Sequence, residues 1–150
     1  MIRKLFALVL FMLCTSVFAA TKPYVPQKRE FRGAWIQCVN GQFIGMSTHK
    51  MQQTLVYQLD ELQKDGVNAI FFQVRAECDA LYKSDLEPWS RFLTGKQGQA
   101  PSPYWDPLQW MIDECHRRGM ELHAWINPYR AKTKTTRALH LSHRLMKFPS

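Results

Sequence analysis

Six residues combine a charge, an amide or an aromatic ring with a position at or just past the end of an apolar run: Arg75, Glu77, Asp79, Trp125, Asn127 and Arg130. Charged and amide groups can hydrogen-bond sugar hydroxyls, and an indole ring can stack on the apolar face of a sugar. We therefore predict that these six bind a carbohydrate substrate. The sequence assigns no catalytic residue among them.

Glu77 and Asp79 are the only acidic residues placed directly after a predicted strand. Glycoside hydrolysis needs two carboxylates, about 5 to 10 Å apart. Because a neighbouring cation lowers a carboxyl pKa, we expect both acids to stay ionised beside Arg75 and to contact sugar rather than donate a proton. The alternative is a structural ion pair with Arg75.

Two further aromatic side chains invite both a functional and a structural interpretation. Trp35 could stack on a sugar, but we favour a place in the core. His123 lies deeper in its strand than Asn127, which favours a hydrogen-bonded interior histidine over a general acid.

Motifs for other chemistries are absent from the sequence. It contains no Cys-x-x-Cys or His-Glu-x-x-His spacing, no Gly-x-Ser-x-Gly elbow and no phosphate-binding loop, so we predict no metal site and no cofactor. Cys38, Cys78 and Cys115 are odd in number and widely spaced, which argues against a disulfide framework.

The elements that must position these residues alternate along the chain. Hydrophobic periodicity predicts strands at residues 32–39, 67–75 and from 121 onward, with helices at 48–65 and 106–118. Asp106, followed by Pro107 and Gln109, has the spacing of an N-terminal capping box. Gly66 and Gly119 are suited to end the two helices. This order is typical of a parallel sheet. A long connection spans residues 76–104.

Each predicted strand is apolar on one face and polar or aromatic on the other. In the third strand Leu122, Ala124 and Ile126 form the apolar face, which we expect helices to bury. A doubly wound sheet has both strand faces covered, so the polar second faces favour a TIM (β/α)8 barrel with its ligand at the carboxyl ends of the strands. A whole barrel takes about 250 residues. The fold class predicted is therefore α/β, as the first three βα/β units of a truncated barrel.

The N-terminus has the features of an export signal. Arg3 and Lys4 precede a short apolar run, and Val17-Phe18-Ala19 is a small-residue cleavage site, so we predict a signal peptide at residues 1–19 and a leader at 20–30. An uncleaved anchor is the alternative. The mature protein is then periplasmic or extracellular in a bacterium, with no stable membrane span.

The net charge of +8 is unevenly distributed, because six basic residues and no acidic residue follow Glu121. This segment is either a solvated loop or a contact for an anionic polymer such as a cell-wall glycan. A local basic loop in an exported chain is a poor argument for nucleic acid, which we do not expect as a partner.

Three stretches together resemble the N-terminal third of the glycosyl-hydrolase-like family 10 proteins: residues 31–35 (FRGAW), 73–84 (QVRAECDALYKS) and 123–130 (HAWINPYR). The resemblance implies a domain at 31–150 that is the incomplete start of an exported TIM-barrel glycosidase, acting on a polysaccharide. One branch of the family acts on peptidoglycan glycan strands stripped of peptide.

Two features set the chain apart from the family pattern. Cys78 stands where the family usually has glycine, and the acidic motif after the fourth strand is missing. We therefore expect the catalytic acids to lie beyond residue 150. The alternative function is a non-catalytic remnant or a carbohydrate-binding fragment.

Overall fold

The computed structural model of the chain describes residues 30–148. The predicted signal peptide at 1–19 and the leader up to residue 29 lie outside this range. The elements within it are strands β1 (Gly33–Ile36), β2 (Ala69–Arg75) and β3 (Glu121–Ile126), and helices α1 (Thr48–Lys64), α2 (Arg91–Thr94), α3 (Pro107–Arg117) and α4 (Arg144–Lys147).

The three strands form one parallel sheet in the order β1-β2-β3. Neighbouring strands are parallel and follow each other in chain order, and α1 and α3 lie in the connections between them. This confirms the predicted α/β arrangement. Closure of such a sheet into a whole barrel stays a prediction.

Both long helices begin and end as their sequences predict. The side chain of Asp106 accepts the Gln109 backbone N–H at 3.1 Å and caps α3, while Ser47 caps α1 by accepting from Lys50. The Gln109 side chain turns away and donates to Asp113, so it does not complete the predicted capping box. Gly66, with φ of +78°, takes the left-handed position after α1.

The core lies between one face of the sheet and the two long helices. Ile70, Phe72 and Val74 of β2 are buried with the predicted stripes of the helices, which include Met51, Leu55, Leu59, Met111 and Cys115. This face also includes Ile36 of β1. The apolar face predicted for the first two strands is therefore confirmed.

The prediction of a buried third strand is wrong. No residue of β3 is fully buried; Ala124 is exposed, and 52% of the surface of Ile126 is accessible. Only Leu122 on this face packs against the core. Within residues 30–148, β3 is an edge strand, so no further strand covers its carboxyl half.

β1 is shorter than predicted because a side chain replaces its sheet partner. The side-chain oxygen of Gln73 accepts the backbone N–H groups of Cys38 and Val39, at 3.0 and 3.1 Å. The strand ends at Ile36, and the backbone beyond it is hydrogen-bonded to this fully buried amide.

The pairing of β2 with β3 shifts between Gln73 and Arg75. Gln73 lies opposite Trp125, whereas Arg75, two residues later, lies opposite Ile126, only one residue later on β3. Irregularities of this kind bend a strand and redirect its side chains. Here the shift lies at the carboxyl end of β2, where the candidate site begins.

Candidate functional site at the carboxyl ends of the strands

Arg75 joins three parts of the chain at the end of β2. Its Nε contacts both carboxylate oxygens of Glu87, at 2.8 and 2.7 Å, and another nitrogen donates to the backbone oxygen of Asn127 at 2.7 Å. The hydrogen bonds with Glu87 hold the pKa of the Arg75 guanidinium above its usual range. The alternative of an ion pair between Arg75 and Glu77 or Asp79 is wrong, since Glu87 in the long connection takes that place.

Glu77 has no solvent exposure and is bound by groups from distant parts of the chain. Its Oε2 lies 3.0 Å from Nε of Arg91, and its Oε1 accepts the Thr136 hydroxyl at 2.8 Å. Burial by itself would raise the pKa of Glu77, but the hydrogen bonds from Arg91, Thr133 and Thr136 outweigh it and lower that pKa. Glu77 is therefore an ionised buried acid.

Asp79 is also fully buried, but its ionisation responds in the opposite sense. Its Oδ1 accepts the backbone N–H of Glu77 at 3.0 Å. Burial raises the pKa of Asp79, and hydrogen bonds from Ser90 and the Glu77 backbone only partly offset that effect. The two neighbouring carboxyl groups thus have pKa values shifted in opposite directions.

A segment after β3, residues 131–148 and called the covering segment below, contacts Glu77 and its partner Arg91. Thr135 accepts a hydrogen bond from Arg91 at 2.9 Å, and the buried ring of His143 contacts the backbone oxygen of Glu77 through Nε2 at 2.7 Å. Because Nδ1 of His143 accepts the Leu145 backbone N–H, Nε2 must be the donor to Glu77. Glu77 and Asp79 have no solvent exposure, so a sugar could reach either only if neighbouring residues moved, and their predicted role in sugar binding stays a prediction.

Trp125, Asn127 and Arg130 lie together where β3 ends. The indole N–H of Trp125 donates to the side-chain oxygen of Asn127 at 3.0 Å, and the Asn127 amide donates to Ala76 O at 3.4 Å. Arg130 is exposed, and its backbone oxygen lies 3.8 Å from the sulfur of Cys78. The amide of Asn127 thus holds the end of β3 against the end of β2.

An aromatic cluster of Trp35, Phe71, His123 and Trp125 occupies the sheet face opposite the core. The rings of Trp35 and Phe71 stack at 4.4 Å, and Trp125 meets Trp35 edge-on at 5.1 Å. The prediction of a core position for Trp35 is wrong, because 62% of its surface is exposed. His123 is partly exposed and stacks on Phe71 at 5.0 Å, so it is not the interior histidine expected.

A family model described as Glycosyl hydrolase-like 10 matches residues 30–149. The chain belongs to this family. Two curated relatives support the same placement. The chain is 50% identical over 84 residues to a glycosyl hydrolase named DigH from Escherichia coli K12, covering 56% of this chain and 19% of that protein. It is 39% identical over 125 residues to one named YngK from Bacillus subtilis 168, covering 79% and 24%.

The chain thus spans about a fifth to a quarter of the length of the curated relatives it matches. In this glycosyl hydrolase-like 10 chain, Arg75, Asn127 and Trp125, which the motifs singled out, lie together at one end of the sheet, and their role in sugar binding stays a prediction. Reasoning from motifs missed Glu87, Arg91, Thr136 and His143. Each lies far along the chain from its partner, and no local pattern marks such a contact.

The described part of this glycosyl hydrolase-like chain contains no group of acids, histidines and cysteines arranged to hold a metal ion. Cys38, Cys78 and Cys115 are buried and free, and burial raises the pKa of the Cys115 thiol to about 11. Within residues 30–148 no helix has the length and apolar character needed to cross a membrane.

Proposed function

We propose that this chain forms part of an exported glycoside hydrolase that cleaves a polysaccharide, with cell-wall glycan strands as the substrate class. One observation carries the proposal: in a chain of the glycosyl hydrolase-like family, the polar groups Arg75 and Asn127 lie at the carboxyl ends of parallel strands, beside the exposed ring of Trp35 and the half-buried ring of Trp125. Aromatic rings next to amides and guanidinium groups suit the binding of sugar rings.

The acids of this sheet edge are paired with arginines or buried, which supports the proposal that none of them is a catalytic carboxylate. Glu87 is paired with Arg75, Glu77 is paired with Arg91, and Asp79 is buried. A glycosidase needs one carboxyl group exposed to the leaving oxygen and a second beside the anomeric carbon. Glu77 and Asp79 have no solvent exposure, and both oxygens of Glu87 contact the Arg75 guanidinium.

The test is release of new reducing ends from purified glycan strands, with binding to the insoluble polymer measured alongside. Trp125→Ala should weaken binding, since it removes a ring and the Asn127 contact. His116→Ala is the control, because it removes an exposed ring from the last turn of α3, at the end of that helix that leads into the start of β3. If the whole protein neither binds nor cleaves any polysaccharide, the proposal fails.

A non-catalytic carbohydrate-binding role is the second candidate, favoured by the same structural partners of Glu77 and Glu87. It predicts glycan binding that is weakened by Trp125→Ala but no release of reducing ends. The two candidates are therefore separated by the cleavage assay.

Export is proposed from residues 1–19. N-terminal sequencing of the native protein should find Ala20 as its first residue. An intact Met1 on the native protein would exclude cleavage and leave the uncleaved anchor as the alternative.

A further inference from the structure

A cavity of about 480 Å³ opens beside Arg75, between the connection after β2 and α4. The residues lining it comprise three cations, one acid and a partly apolar wall: Arg75, Arg144, Lys147, Glu87, Tyr82, Ser84, Leu86 and Phe148. Its volume falls within the range of sites that hold a small organic ligand and exceeds what a bare inorganic anion fills.

The cavity has an excess of positive charge. Both oxygens of Glu87 contact the guanidinium of Arg75. Within residues 30–148, Arg144 and Lys147 pair with no acidic side chain, and no acidic residue follows Glu121 in the sequence. Two cations therefore face the cavity without a carboxylate to neutralise them, which favours an anionic ligand.

The aromatic residues that line the cavity favour a ligand that contains a sugar ring. The Arg144 guanidinium lies 4.4 Å from the centre of the Phe148 ring. This cation–π contact places a positive charge next to an aromatic surface. Tyr82 faces the same space, and burial raises the pKa of its phenol, so the hydroxyl keeps its proton and can donate. Aromatic side chains beside charged donors suit a sugar that carries an acid group better than an inorganic anion.

We propose that this cavity binds the carboxylate of an acidic sugar residue, with Arg144 and Lys147 contacting the carboxylate and Tyr82 and Phe148 lining the space for the ring. The inference rests on the proposed action on a glycan and names the class of sugar recognised. The proposed subsite lies next to the Arg75–Glu87 pair, and this pair connects the subsite to the carboxyl ends of the strands.

The test compares two monosaccharides that differ only at C6: methyl β-D-glucuronide, with a carboxylate, and methyl β-D-glucoside, with a hydroxymethyl group. Binding is followed by the NMR shifts of residues 82–87 and 144–148 in the full chain. The glucuronide should bind about tenfold more tightly, and added salt should reduce the difference.

Substitution then assigns the effect to the cavity. Arg144→Gln with Lys147→Gln should abolish the preference for glucuronide without altering the circular dichroism spectrum, because both side chains are exposed. Lys134→Gln is the matched control: it removes one positive charge from the same segment but does not line the cavity. Equal loss in the control would mean a general charge effect and would overturn the proposal.

Three further outcomes are decisive. If inorganic phosphate binds as tightly as the glucuronide and Phe148→Ala leaves the glucuronide affinity unchanged, the site recognises only charge and the inference fails. Cleavage of polysaccharide with no preference for the glucuronide overturns the inference alone. A preference for the glucuronide without any polysaccharide cleavage supports the cavity assignment and overturns the hydrolase function.

Discussion

Glu77 and Arg91 form an ion pair in which the carboxylate has no solvent exposure and Nε of Arg91 lies 3.0 Å from Oε2. The pair links the loop after β2 to α2, and Thr136 attaches the covering segment to the same carboxylate. Removing one partner of a buried pair leaves the other without its counter-charge, which costs more than the loss of an exposed pair. Five predictions concern this loop and the end of β2 that precedes it.

Glu77→Gln should destabilise the protein by about 3 kcal/mol, because it leaves the Arg91 guanidinium without its carboxylate. The change is measured as the free energy of unfolding in urea. Glu61→Gln is the matched control, since Glu61 pairs with Lys64 on the exposed surface of α1 and its loss should have little effect. Equal destabilisation by both substitutions would contradict a special role for the buried pair.

Asp79→Asn should raise the free energy of unfolding near neutral pH. The raised pKa of Asp79 means that its contribution favours the fold at low pH and is lost as pH rises through the folded-state pKa. The asparagine keeps the acceptor for the Glu77 N–H and removes the buried charge. The stability difference from the wild type should shrink over the range from neutral pH down to the ordinary aspartate pKa. A difference that is constant over this range would show that the charge is not the cause.

Glu77 should show the opposite dependence on pH. Its pKa is lowered, so its contribution to stability is present above the ordinary glutamate pKa and is lost as pH falls through the folded-state value. The destabilisation caused by Glu77→Gln should therefore diminish in acid. Urea titrations at several pH values measure this, and a penalty that grew as pH fell would contradict the assignment.

Cys78→Gly should stabilise the fold by about 1 kcal/mol, since Cys78 has φ of +53°, a left-handed conformation that disfavours residues with a Cβ. Cys78→Ala is the control, because it removes the sulfur that lies 3.2 Å from Arg75 but keeps the Cβ. Thermal melts should rank the glycine variant above the alanine variant. The reverse order would show that backbone conformation does not dominate here.

Gln73→Leu should cost about 2 to 4 kcal/mol, because it leaves the buried N–H groups of Cys38 and Val39 without their acceptor. Gln53→Leu, at an exposed position of α1, controls for the added apolar surface. Urea unfolding measures both. Hydrogen exchange at Cys38 and Val39 should also become faster in the Gln73 variant alone.

Local sequence determined the elements of this protein. The spacing of Met51, Leu55 and Leu59 specified one helix, and Asp106 and Gly119 bounded another, because caps and apolar stripes depend on residues within one or two turns. Alternation along β1 and β2 predicted which face is buried, and the motifs around Arg75 and Asn127 identified the family.

Only the tertiary structure decided which charges pair and which groups are buried. Glu87 rather than Glu77 binds Arg75, Arg91 binds Glu77, and Gln73 ends β1, through contacts between residues 12 to 35 positions apart. The exposure of Trp35 and Ile126 likewise depends on what lies beside β1 and β3, not on their own periodicity. Pairing and burial are set by the packing of distant segments, which no local pattern encodes.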